Sequence, residues 1–557
     1  MQHLHLNMRL GGLLWPVLLT CVTFPLGAQP KIAPDLRASS TSRDVIVQFN
    51  TATNKQLLAA VANNGGVQKR AFGFMNAALY NLPPAAIAAL EQNPNVKYAS
   101  PDRPIGSSLE FARPAVNAHI AQSYGWDGTG IGVAVLDSDI RSDDDLQNKV
   151  TYSQNFIATD SSPSDSYGHG THVAGIIASS GLRSSCTSCS KQFKGIAPSV
   201  KLINLRVLDK DGKGTDSAVI AAIDRAIQLK TTYNIRVLNL SLGRAIRESY
   251  KLDPLCQAVE RAWKAGIVVV TSAGNNGRDY SMGTKGYATI SSPGNDPFVI
   301  TVGAMRDMGT ESRSDDLVAS YSSKGPSLLD HVVKPDLVAP GNRVISVLAS
   351  DNILKTRYPS NSVPENYYKS STLTSSSEYY FWMSGTSMAA PVVSGAAAAM
   401  LEKDPSLTPD TVKARLMKTA SKAIPSSSSW IDPDTGIVYT NQSDIFTIGA
   451  GYVDVWAALN NSDVVPATRN ALSPTVTRND GTVSILNGSS VVWGDSVVWG
   501  DSLVWGANVF VGGTSVVWGD SVVCVSTTAG YSVVWGDSVV WGDSGFYSEA
   551  LSVRGDR

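Results

Sequence analysis

Residues 133–136 read Val-Ala-Val-Leu, a continuous apolar run that leads directly into an acid, Asp137. Such runs are typical of strands in parallel sheets that helices cover on both faces. Further runs of this kind follow at residues 202–207, 237–240, 267–270 and 299–302. Between them, apolar residues recur at helical spacing, as at 219–227 and 258–263. The alternation predicts a three-layer α/β fold with a mostly parallel sheet over residues 116–459, and such sheets bind ligands at the carboxyl ends of their strands.

A smaller unit is expected upstream, at residues 41–103. Its candidate strands and helices follow the order β-α-β-β-α-β, which predicts a small ferredoxin-like α+β domain. The strands are expected at 45–49, 71–74, 77–80 and 96–99, and the helices at 57–62 and 85–91. Residues 100–104, Ser-Pro-Asp-Arg-Pro, are rich in residues that break helices and strands, and they end the unit.

Composition limits the classes of function that the chain can have. Among 557 residues, 46 lysines and arginines face 47 acids, which gives a net charge of −1. This near-neutral balance lacks the basic surface that nucleic-acid binding requires, so we expect no nucleic-acid partner. Hydrophobic residues make up 43% of the chain, which is enough for a large packed core.

The first 28 residues have the composition of a secretory signal peptide. Arg9 supplies a positive charge, residues 10–24 are uncharged, and Gly27 and Ala28 offer small residues for cleavage. A membrane helix is the alternative, but Pro16 interrupts the run, which is shorter than the roughly 20 residues of a span. We therefore expect residues 1–28 to direct a secreted or cell-surface protein, with no transmembrane span.

Five cysteines are too few for a disulfide framework in a chain of this length. In an exported protein, Cys186 and Cys189 favour a small disulfide loop over a redox pair or a zinc site, because a single CxxC supplies only two metal ligands. Cys256 and Cys524 have no evident partner in the sequence.

Residues 460–557 form a repetitive extension that contains no lysine. The hexapeptide Ser-Val-Val-Trp-Gly-Asp recurs, with one variant, around Trp493, Trp499, Trp505, Trp518, Trp535 and Trp541. Two interpretations stay open: short strands that stack into a β-meander or solenoid, or an adhesive extension that serves secretion or surface attachment. Calcium binding is a weaker third, because each repeat brings only one carboxylate. The aspartates concerned are Asp495, Asp501, Asp520, Asp537 and Asp543.

Three short motifs stand where predicted strands end or helices begin. Asp137 ends a buried strand, and an acid there more often caps a turn than takes part in chemistry. His169 opens a helix between glycines that allow close approach, and the HxxH spacing lacks the glutamate of a metalloprotease. Ser387 begins a helix of small residues, where free N–H groups can stabilise an oxyanion, although a lone serine there is more readily an N-cap.

Together these residues have the chemistry of a nucleophilic triad. An acid orients an imidazole, the neutral imidazole takes a proton, and a hydroxyl attacks a carbonyl. All three stand at the predicted carboxyl edge of one sheet. A fourth segment, Ser-Ala-Gly-Asn-Asn-Gly at 272–277, follows another strand of that sheet, and a side-chain amide there can donate to a developing oxyanion.

These blocks resemble the signature motifs of the subtilisin-like serine peptidase family, the subtilases. The resembling segments are Asp-Ser-Asp at 137–139, Gly-His-Gly-Thr-His-Val-Ala-Gly at 168–175, Ser-Ala-Gly-Asn-Asn-Gly at 272–277, Lys-Pro-Asp-Leu-Val-Ala-Pro-Gly at 334–341 and Gly-Thr-Ser-Met-Ala-Ala-Pro at 385–391. The resemblance implies a serine endopeptidase in which Asp137 orients the general base His169, and Ser387 is the nucleophile. Asn275 is similar to the family's oxyanion donor.

The resemblance also implies substrate contacts and a precursor. An extended peptide would pair with two backbone edges beside an apolar first pocket. The residues are Ser241, Leu242 and Gly243 on one edge, Gly212, Lys213 and Gly214 on the other, and Ala273 and Gly274 at the pocket. The unit at 41–103 resembles an inhibitor-type propeptide, so the expected partners are polypeptide substrates and the chain's own propeptide. No cofactor is required, and Asp145 is similar in position to a family calcium ligand, so calcium stays open as a structural ion.

Two features depart from the family's pattern. Asp139 stands where the family has glycine; aspartate tolerates left-handed backbone, but it adds a negative charge near the triad. The Ser/Tyr-rich stretch at 351–380 is longer than in the family, and we expect it to form a surface loop near the cleft. A second class of function therefore stays open: a surface-binding protein on a peptidase scaffold that Asp139 has inactivated.

Overall fold

The computed structural model describes residues 31–33, 36 and 41–479, apart from gaps at 53, 73–75, 102–108, 143, 159, 161–163, 282, 350 and 371–374. Further along, it describes short strand segments between 482 and 548, and residues 555–556. The expected signal peptide at 1–28 lies outside the described residues, as do all the repeat tryptophans except Trp518 and all the repeat aspartates. The chain divides into two compact units, residues 1–104 and 105–557.

Over residues 41–101, as far as the structure describes them, the first unit is a four-stranded antiparallel sheet with two helices. In chain order its elements are β1 (Arg43–Phe49), α1 (Lys55–Ala62), β2 (Val67–Phe72), β3 (Ala77–Leu82), α2 (Pro84–Leu90) and β4 (Val96–Pro101). This is the β-α-β-β-α-β order that the sequence predicts, with the strands arranged β2-β3-β1-β4. Alternate residues of β1, such as Val45 and Val47, are buried in a core that includes Ile87 and Leu90 of α2.

One strand of this unit is displaced from its expected position. From the apolar residues we expect it at 71–74, whereas the structure has β2 at Val67–Phe72. β2 lies at the edge of the sheet, and its first five residues are exposed. An exposed edge strand can be polar along its length, so its apolar pattern does not mark where it begins.

The second unit contains the predicted α/β region. Its helices are α3 (Leu109–Ala115), α4 (Ala118–Ser123), α5 (His169–Ala178), α6 (Asp216–Tyr233), α7 (Pro254–Lys264), α8 (Ile353–Arg357), α9 (Glu365–Tyr368), α10 (Thr386–Lys403), α11 (Pro409–Thr419) and α12 (Val455–Asn460). Short 3-10 turns lie at Asp144–Leu146, Leu182–Ser184 and Pro359–Asn361. Up to residue 479 its strands are β5 (Gly132–Asp137), β6 (Val150–Asn155), β7 (Lys201–Arg206), β8 (Lys213–Gly214), β9 (Ile235–Leu240), β10 (Leu242–Gly243), β11 (Val268–Ser272), β12 (Ile300–Arg306), β13 (Leu317–Val318), β14 (Leu337–Pro340), β15 (Val344–Val347), β16 (Ser362–Pro364), β17 (Ser376–Met383), β18 (Ser427–Ile431), β19 (Val438–Gln442) and β20 (Thr475–Asn479).

Eight strands form the central sheet. Their order is β13-β12-β11-β9-β5-β7-β6 with β14 paired to β12, and every pair is parallel except β12 with β13. Helices α5 and α10 pack on each other and on the sheet, and α6 and α7 form a second such pair. All residues of β5 and β11 are buried, as the continuous apolar runs predict. The fold is therefore the predicted three-layer α/β fold with a mostly parallel sheet.

The Ser/Tyr-rich stretch at 351–380 is not the surface loop that we expect from its sequence. It includes α8, β16, α9 and most of β17, and the strands β15, β17 and β16 form an antiparallel sheet. Tyr368 and Tyr380 are fully buried, and both rings meet the ring of Phe193 edge-on. The tyrosines thus supply a local aromatic core within a stretch whose other residues are mostly polar.

Two of the cysteines form the expected disulfide. Cys186 is bonded to Cys189, with Cα atoms 4.9 Å apart. The loop is joined to α9 by a backbone hydrogen bond from the Ser190 N–H to the Tyr368 carbonyl, 2.8 Å long. Cys256 is a buried free thiol, and burial raises its pKa well above the ordinary value.

The described parts of the repetitive extension are short strands. They are β21 (Thr482–Leu486), β22 (Leu503–Val504), β23 (Phe510–Val511), β24 (Thr514–Ser515), β25 (Val517–Trp518), β26 (Val523–Val525) and β27 (Phe546–Ser548). All their pairings are antiparallel. β27 differs from the others, because it pairs with β8 and β10 of the α/β region. Among the helices that the structure describes, none has the length and apolar content of a membrane span.

A buried ionic cluster joins the sheet to α11. The Asp336 carboxylate lies 2.7 Å from Lys334 Nζ and 3.3 Å from Lys413 Nζ, and all three side chains are fully buried. It also accepts a 2.8 Å hydrogen bond from the Thr301 N–H of β12. Burial alone would raise the pKa of Asp336, but the two ammonium groups hold it below its ordinary value.

We expect Asp336→Asn to lower the free energy of unfolding by about 3–5 kcal/mol, because it leaves two buried ammonium groups without their counter-charge. Denaturant unfolding followed by tryptophan fluorescence measures the loss. Asp315→Asn, at an exposed acid, is the matched control, with an expected change within about 0.5 kcal/mol. Equal unfolding midpoints for the two variants would contradict the assignment of Asp336 as the centre of this cluster.

Candidate active site

Asp137 and His169 meet where β5 ends and α5 begins. Asp137 is the last residue of β5, and His169 is the first of α5. His169 Nδ1 lies 2.7 Å from Asp137 Oδ1, and both side chains are at most 1% exposed. Because a carboxylate can only accept, the imidazole carries its proton on Nδ1 and presents Nε2 as an acceptor.

A second carboxylate holds the start of α5. Asp165 Oδ1 accepts hydrogen bonds from the Gly168 N–H and the Ser138 hydroxyl, both 2.8 Å long. Asp165 Oδ2 accepts two more from the N–H and hydroxyl of Thr171. Burial raises the pKa of Asp165, against the effect of these donors. Asp165 therefore links the residue after Asp137 to the first turn of the helix that carries His169.

Sequence reasoning missed Asp165. The available signal was an acid four residues before His169, where a side chain can cap the helix N-terminus. For the second histidine, His172, the resemblance to the subtilases implies a role in packing and not in catalysis. His172 is fully buried, its Nε2–H donates to the Phe381 carbonyl at 3.0 Å, and burial lowers its pKa to about 3. His172 is therefore neutral and takes part in packing.

Ser387 lies in the first turn of α10, beside the end of β9. Its hydroxyl donates to the Ser241 carbonyl at 3.2 Å, and the Ser241 hydroxyl donates to the Ser387 carbonyl at 2.8 Å. The Ser387 N–H, in this first turn, has no acceptor within the helix, so it is available to an anion. The packing of α5 on α10 holds the helix starts of His169 and Ser387 on one side of the sheet.

Asn275 is held by the residue that precedes Ser387. Its side-chain oxygen accepts hydrogen bonds from the Thr386 N–H at 2.9 Å and from the Thr386 hydroxyl at 3.1 Å. Its amide nitrogen Nδ2 is buried and finds no acceptor among the described residues. His169 Nε2 is likewise buried, without a hydrogen-bond partner in the described part of the chain. The site thus holds an unused donor and an unused acceptor.

The residues expected to bind substrate lie at two strand edges and one strand end. Leu242 and Gly243 form β10, which follows Ser241, and Lys213 and Gly214 form β8, which follows Gly212. Gly212 is in a turn with φ 73°, where its N–H donates to the Asp209 carbonyl. Ala273 and Gly274 directly follow β11.

Gly274 fits only without a side chain. Its φ is 113°, and a Cβ there would lie 2.6 Å from Ser323 Oγ and 2.7 Å from Ser291 Oγ. The Gly274 N–H donates to the Thr386 hydroxyl at 3.1 Å, which joins the end of β11 to the start of α10. Contacts of the Gly274 backbone with neighbouring side chains therefore fix the chain beside Asn275.

Asp139 has a left-handed backbone, as its sequence position predicts, and its carboxylate has polar partners. Its φ is 132°. Asn204 donates a hydrogen bond to Asp139 Oδ1, and Arg206 Nη1 lies 3.8 Å from Asp139 Oδ2. Both partners are buried residues of the neighbouring strand β7. Arg206 also pairs with Asp160 at 2.5 Å, so the Asp139 carboxylate shares this cation with a second acid.

Asp145 does not have the environment of a calcium ligand. Its carboxylate accepts hydrogen bonds from the Tyr380 hydroxyl at 2.6 Å, the Arg183 N–H at 2.8 Å and the Ser179 hydroxyl at 3.2 Å. These donors use the oxygens that a cation would need, and burial raises the pKa of Asp145. Among the described residues, no group of three His, Cys, Asp or Glu side chains is arranged to hold a metal ion.

Known proteins resemble the chain over the region that contains this site. The model of the subtilase family matches residues 128–479. Serine protease AprX of Bacillus subtilis strain 168 is 38% identical over 381 residues, which cover 66% of this chain and 78% of that protein. Subtilisin E of the same strain is 31% identical over 418 residues, which cover 73% of this chain and 93% of that protein.

We expect Asp165→Asn to lower the free energy of unfolding by about 1–3 kcal/mol, because the amide cannot accept all four hydrogen bonds of the carboxylate. Thermal unfolding followed by circular dichroism measures the change. Asp432→Asn is the control, since Asp432 also accepts backbone N–H bonds, from Asp434 and Thr435, but at a surface turn. A loss for Asp165→Asn no larger than that of the control would be the contrary result.

Proposed function

Because the chain belongs to the subtilase family and is a serine-type endopeptidase, we propose that Asp137, His169 and Ser387 are its catalytic triad and that Asn275 is its oxyanion donor. The observation that supports this most is the pairing of His169: Nδ1 is bound to Asp137, and Nε2 is buried without a partner among the described residues. A buried polar atom without a hydrogen bond is costly, and accepting a proton from a nucleophile would give it a use.

In the proposed mechanism, the Ser387 hydroxyl rotates from the Ser241 carbonyl to His169 Nε2. The hydroxyl gives its proton to Nε2 as Oγ attacks the carbonyl carbon of a peptide bond, and Asp137 stabilises the imidazolium. Asn275 Nδ2 and the Ser387 N–H stabilise the resulting oxyanion. His169 then gives the proton to the leaving amine, which leaves an acyl-enzyme, and water completes the hydrolysis by the same proton path.

The substrates are polypeptides, and we propose how they are held. An extended segment pairs its backbone with β8 and β10, which supply affinity without regard to side chains. Leu242, Ala273 and Gly274 make the first pocket small and apolar. The catalysis needs no cofactor, and the donors around Asp145 give no support to a calcium ion there.

The proposed enzyme is made as a secreted, self-inhibited precursor. Residues 1–28 serve as a signal peptide, residues 41–103 as an inhibitor-type propeptide, residues 116–459 as the peptidase domain and residues 460–557 as an extension. The ferredoxin-like fold of the first unit supports the second of these assignments. Cleavage that separates the propeptide is expected between residues 103 and 116.

The alternative function, a surface-binding protein on an inactive scaffold, depends on Asp139 disabling the triad. The contacts of Asp139 with Asn204 and Arg206 weigh against it, because they hold the added carboxylate against β7. The hydrogen bond between His169 and Asp137 is also intact in its presence. We therefore favour the enzyme.

A fluorophosphonate probe should label the mature protein at Ser387, because the proposed base activates that hydroxyl alone. The label, located by peptide mass spectrometry, should disappear in Ser387→Ala, which should also accumulate as uncut precursor if maturation is self-catalysed. Ser394→Ala, a buried serine of the same helix, is the control that should keep the label. A folded, mature chain that never reacts would favour the surface-binding alternative, and normal processing of Ser387→Ala would rule out self-cleavage.

Asn275→Ala should lower kcat by about 10²–10³ with little change in KM, because the lost donor acts on the oxyanion and not on the bound peptide. Hydrolysis of a synthetic peptide measures both constants. Asn276→Ala is the matched control, since this neighbouring asparagine is exposed. A loss in kcat of less than about threefold for Asn275→Ala would exclude Asn275 as the donor.

A further inference from the structure

The two strand edges that we assign to the substrate already pair with a segment of the same chain. The strand β27 (Phe546–Ser548) lies between β10 and β8 and is antiparallel to both. Tyr547 is opposite Gly243, and Ser548 is opposite Leu242. On the other side, Phe546 is opposite Gly214. These are the two backbone edges to which we assign the substrate.

A few residues further along, Asp556 is bound in a pocket of its own. Its side chain is 2% exposed. Asp556 Oδ1 accepts hydrogen bonds from Arg278 Nη2 at 2.6 Å and from the Ser320 hydroxyl at 2.7 Å, and Oδ2 accepts one from the Ser320 N–H at 2.7 Å. The Asn342 side chain exchanges hydrogen bonds with the Asp556 backbone, 2.8 Å to its N–H and 3.0 Å to its carbonyl.

The pocket is shaped for an aspartate that follows a glycine. Gly555 has φ 60°, and a Cβ there would lie 2.4 Å from Ser384 Oγ and 2.6 Å from Asn342 Oδ1. Arg278 is fixed independently of the tail, because its Nε donates to the Ser320 hydroxyl at 2.7 Å and its guanidinium stacks 3.9 Å from the Trp430 ring centre. We call Arg278, Ser320, Asn342 and Ser384 the Gly-Asp pocket.

We propose that the tail carries a built-in competitor of polypeptide substrates, in which Phe546–Ser548 bind along β8 and β10 and Asp556 is the anchor in the Gly-Asp pocket. This inference rests on the proposed function of the cleft. Backbone pairing of two or three residues binds weakly by itself, but a charge-assisted anchor on the same segment fixes its position. Because the segment belongs to the same chain, its effective concentration is far above that of a free peptide, and dilution does not remove it.

The sequence offers a matched control for the anchor. Gly542-Asp543, the last copy in the hexapeptide repeat, has the same dipeptide as Gly555-Asp556 and stands 13 residues before it. If the pocket selects residues 555–556, then Asp556→Ala should release the competitor and Asp543→Ala should not. An effect of Asp543→Ala equal to that of Asp556→Ala would assign the pocket to the repeats and overturn the proposal.

The first experiment measures peptide hydrolysis by the mature parent and by each mature variant. The concentration of reactive Ser387 is determined by titrating a separate sample of each protein with the fluorophosphonate. We expect Asp556→Ala to lower the KM for a short synthetic peptide about tenfold, with kcat per titrated serine unchanged, because only competition is removed. Equal KM values for the parent and Asp556→Ala would overturn the proposal. So would an intact mass showing that the mature parent ends before Phe546.

The second experiment does not depend on activity. In the mature chain, added trypsin can cut after Arg554, next to the anchored Gly555, and mass spectrometry follows the loss of the last three residues. We expect the Asp556→Ala change to speed this cut at least about tenfold, and Asp543→Ala to leave it unchanged. Equal rates would overturn the anchor. If the parent never reacts with fluorophosphonate, the proposed catalytic function fails, while protection at Arg554 still reports whether the tail is docked.

Discussion

A hydrogen bond 2.7 Å long between the His169 Nδ1–H and Asp137 is the contact on which the site depends. It forms only where the last residue of a buried parallel strand meets the first residue of a helix. That meeting requires close backbone approach at Gly170, where a Cβ would lie 2.1 Å from the Asp139 carbonyl oxygen. Because the carboxylate is cut off from water, losing either partner would leave a buried charge or dipole without compensation.

The neighbouring strand β7 supplies the side chains that contact Asp139. The parallel pairing of β5 with β7 sets Asn204 opposite Val135 and Arg206 opposite Asp137. Two residues apart on one strand, these side chains lie on the same face and both reach the Asp139 carboxylate. The aspartate at position 139 thus has polar partners on the neighbouring strand. The sequence alone does not reveal them, because the pairing of β5 with β7 has to be known first.

Much of the fold follows from local patterns, and the exceptions have physical causes. The apolar runs mark the buried strands because both faces of the sheet are covered, and the order of motifs brings Asp137, His169 and Asn275 to one edge of it. The sequence predictions for the edge strand β2 and for the segment from α8 to β17 were wrong. β2 is exposed, so its residues need not be apolar, and the second segment is held by buried tyrosines in a mostly polar sequence. Asp165 bonds to Gly168 and Thr171 nearby, so a local capping signal was available, but its bond to Ser138 depends on the fold. The partners of Asp556 lie far away in the chain, and nothing in its immediate sequence specifies them.

The disulfide loop sets how the fold responds to the redox state of its surroundings. Cys186 and Cys189 are three positions apart, so the covalent ring encloses only a few residues. In the chain-entropy description, closing so short a ring restricts the unfolded chain by about 2 kcal/mol, against nearly 5 for a ring of a hundred residues. Reduction would therefore release the local turn beside α9 and leave the packed sheet intact, so that thiol reagents are tolerated where a heavily cross-linked secreted protein would unfold.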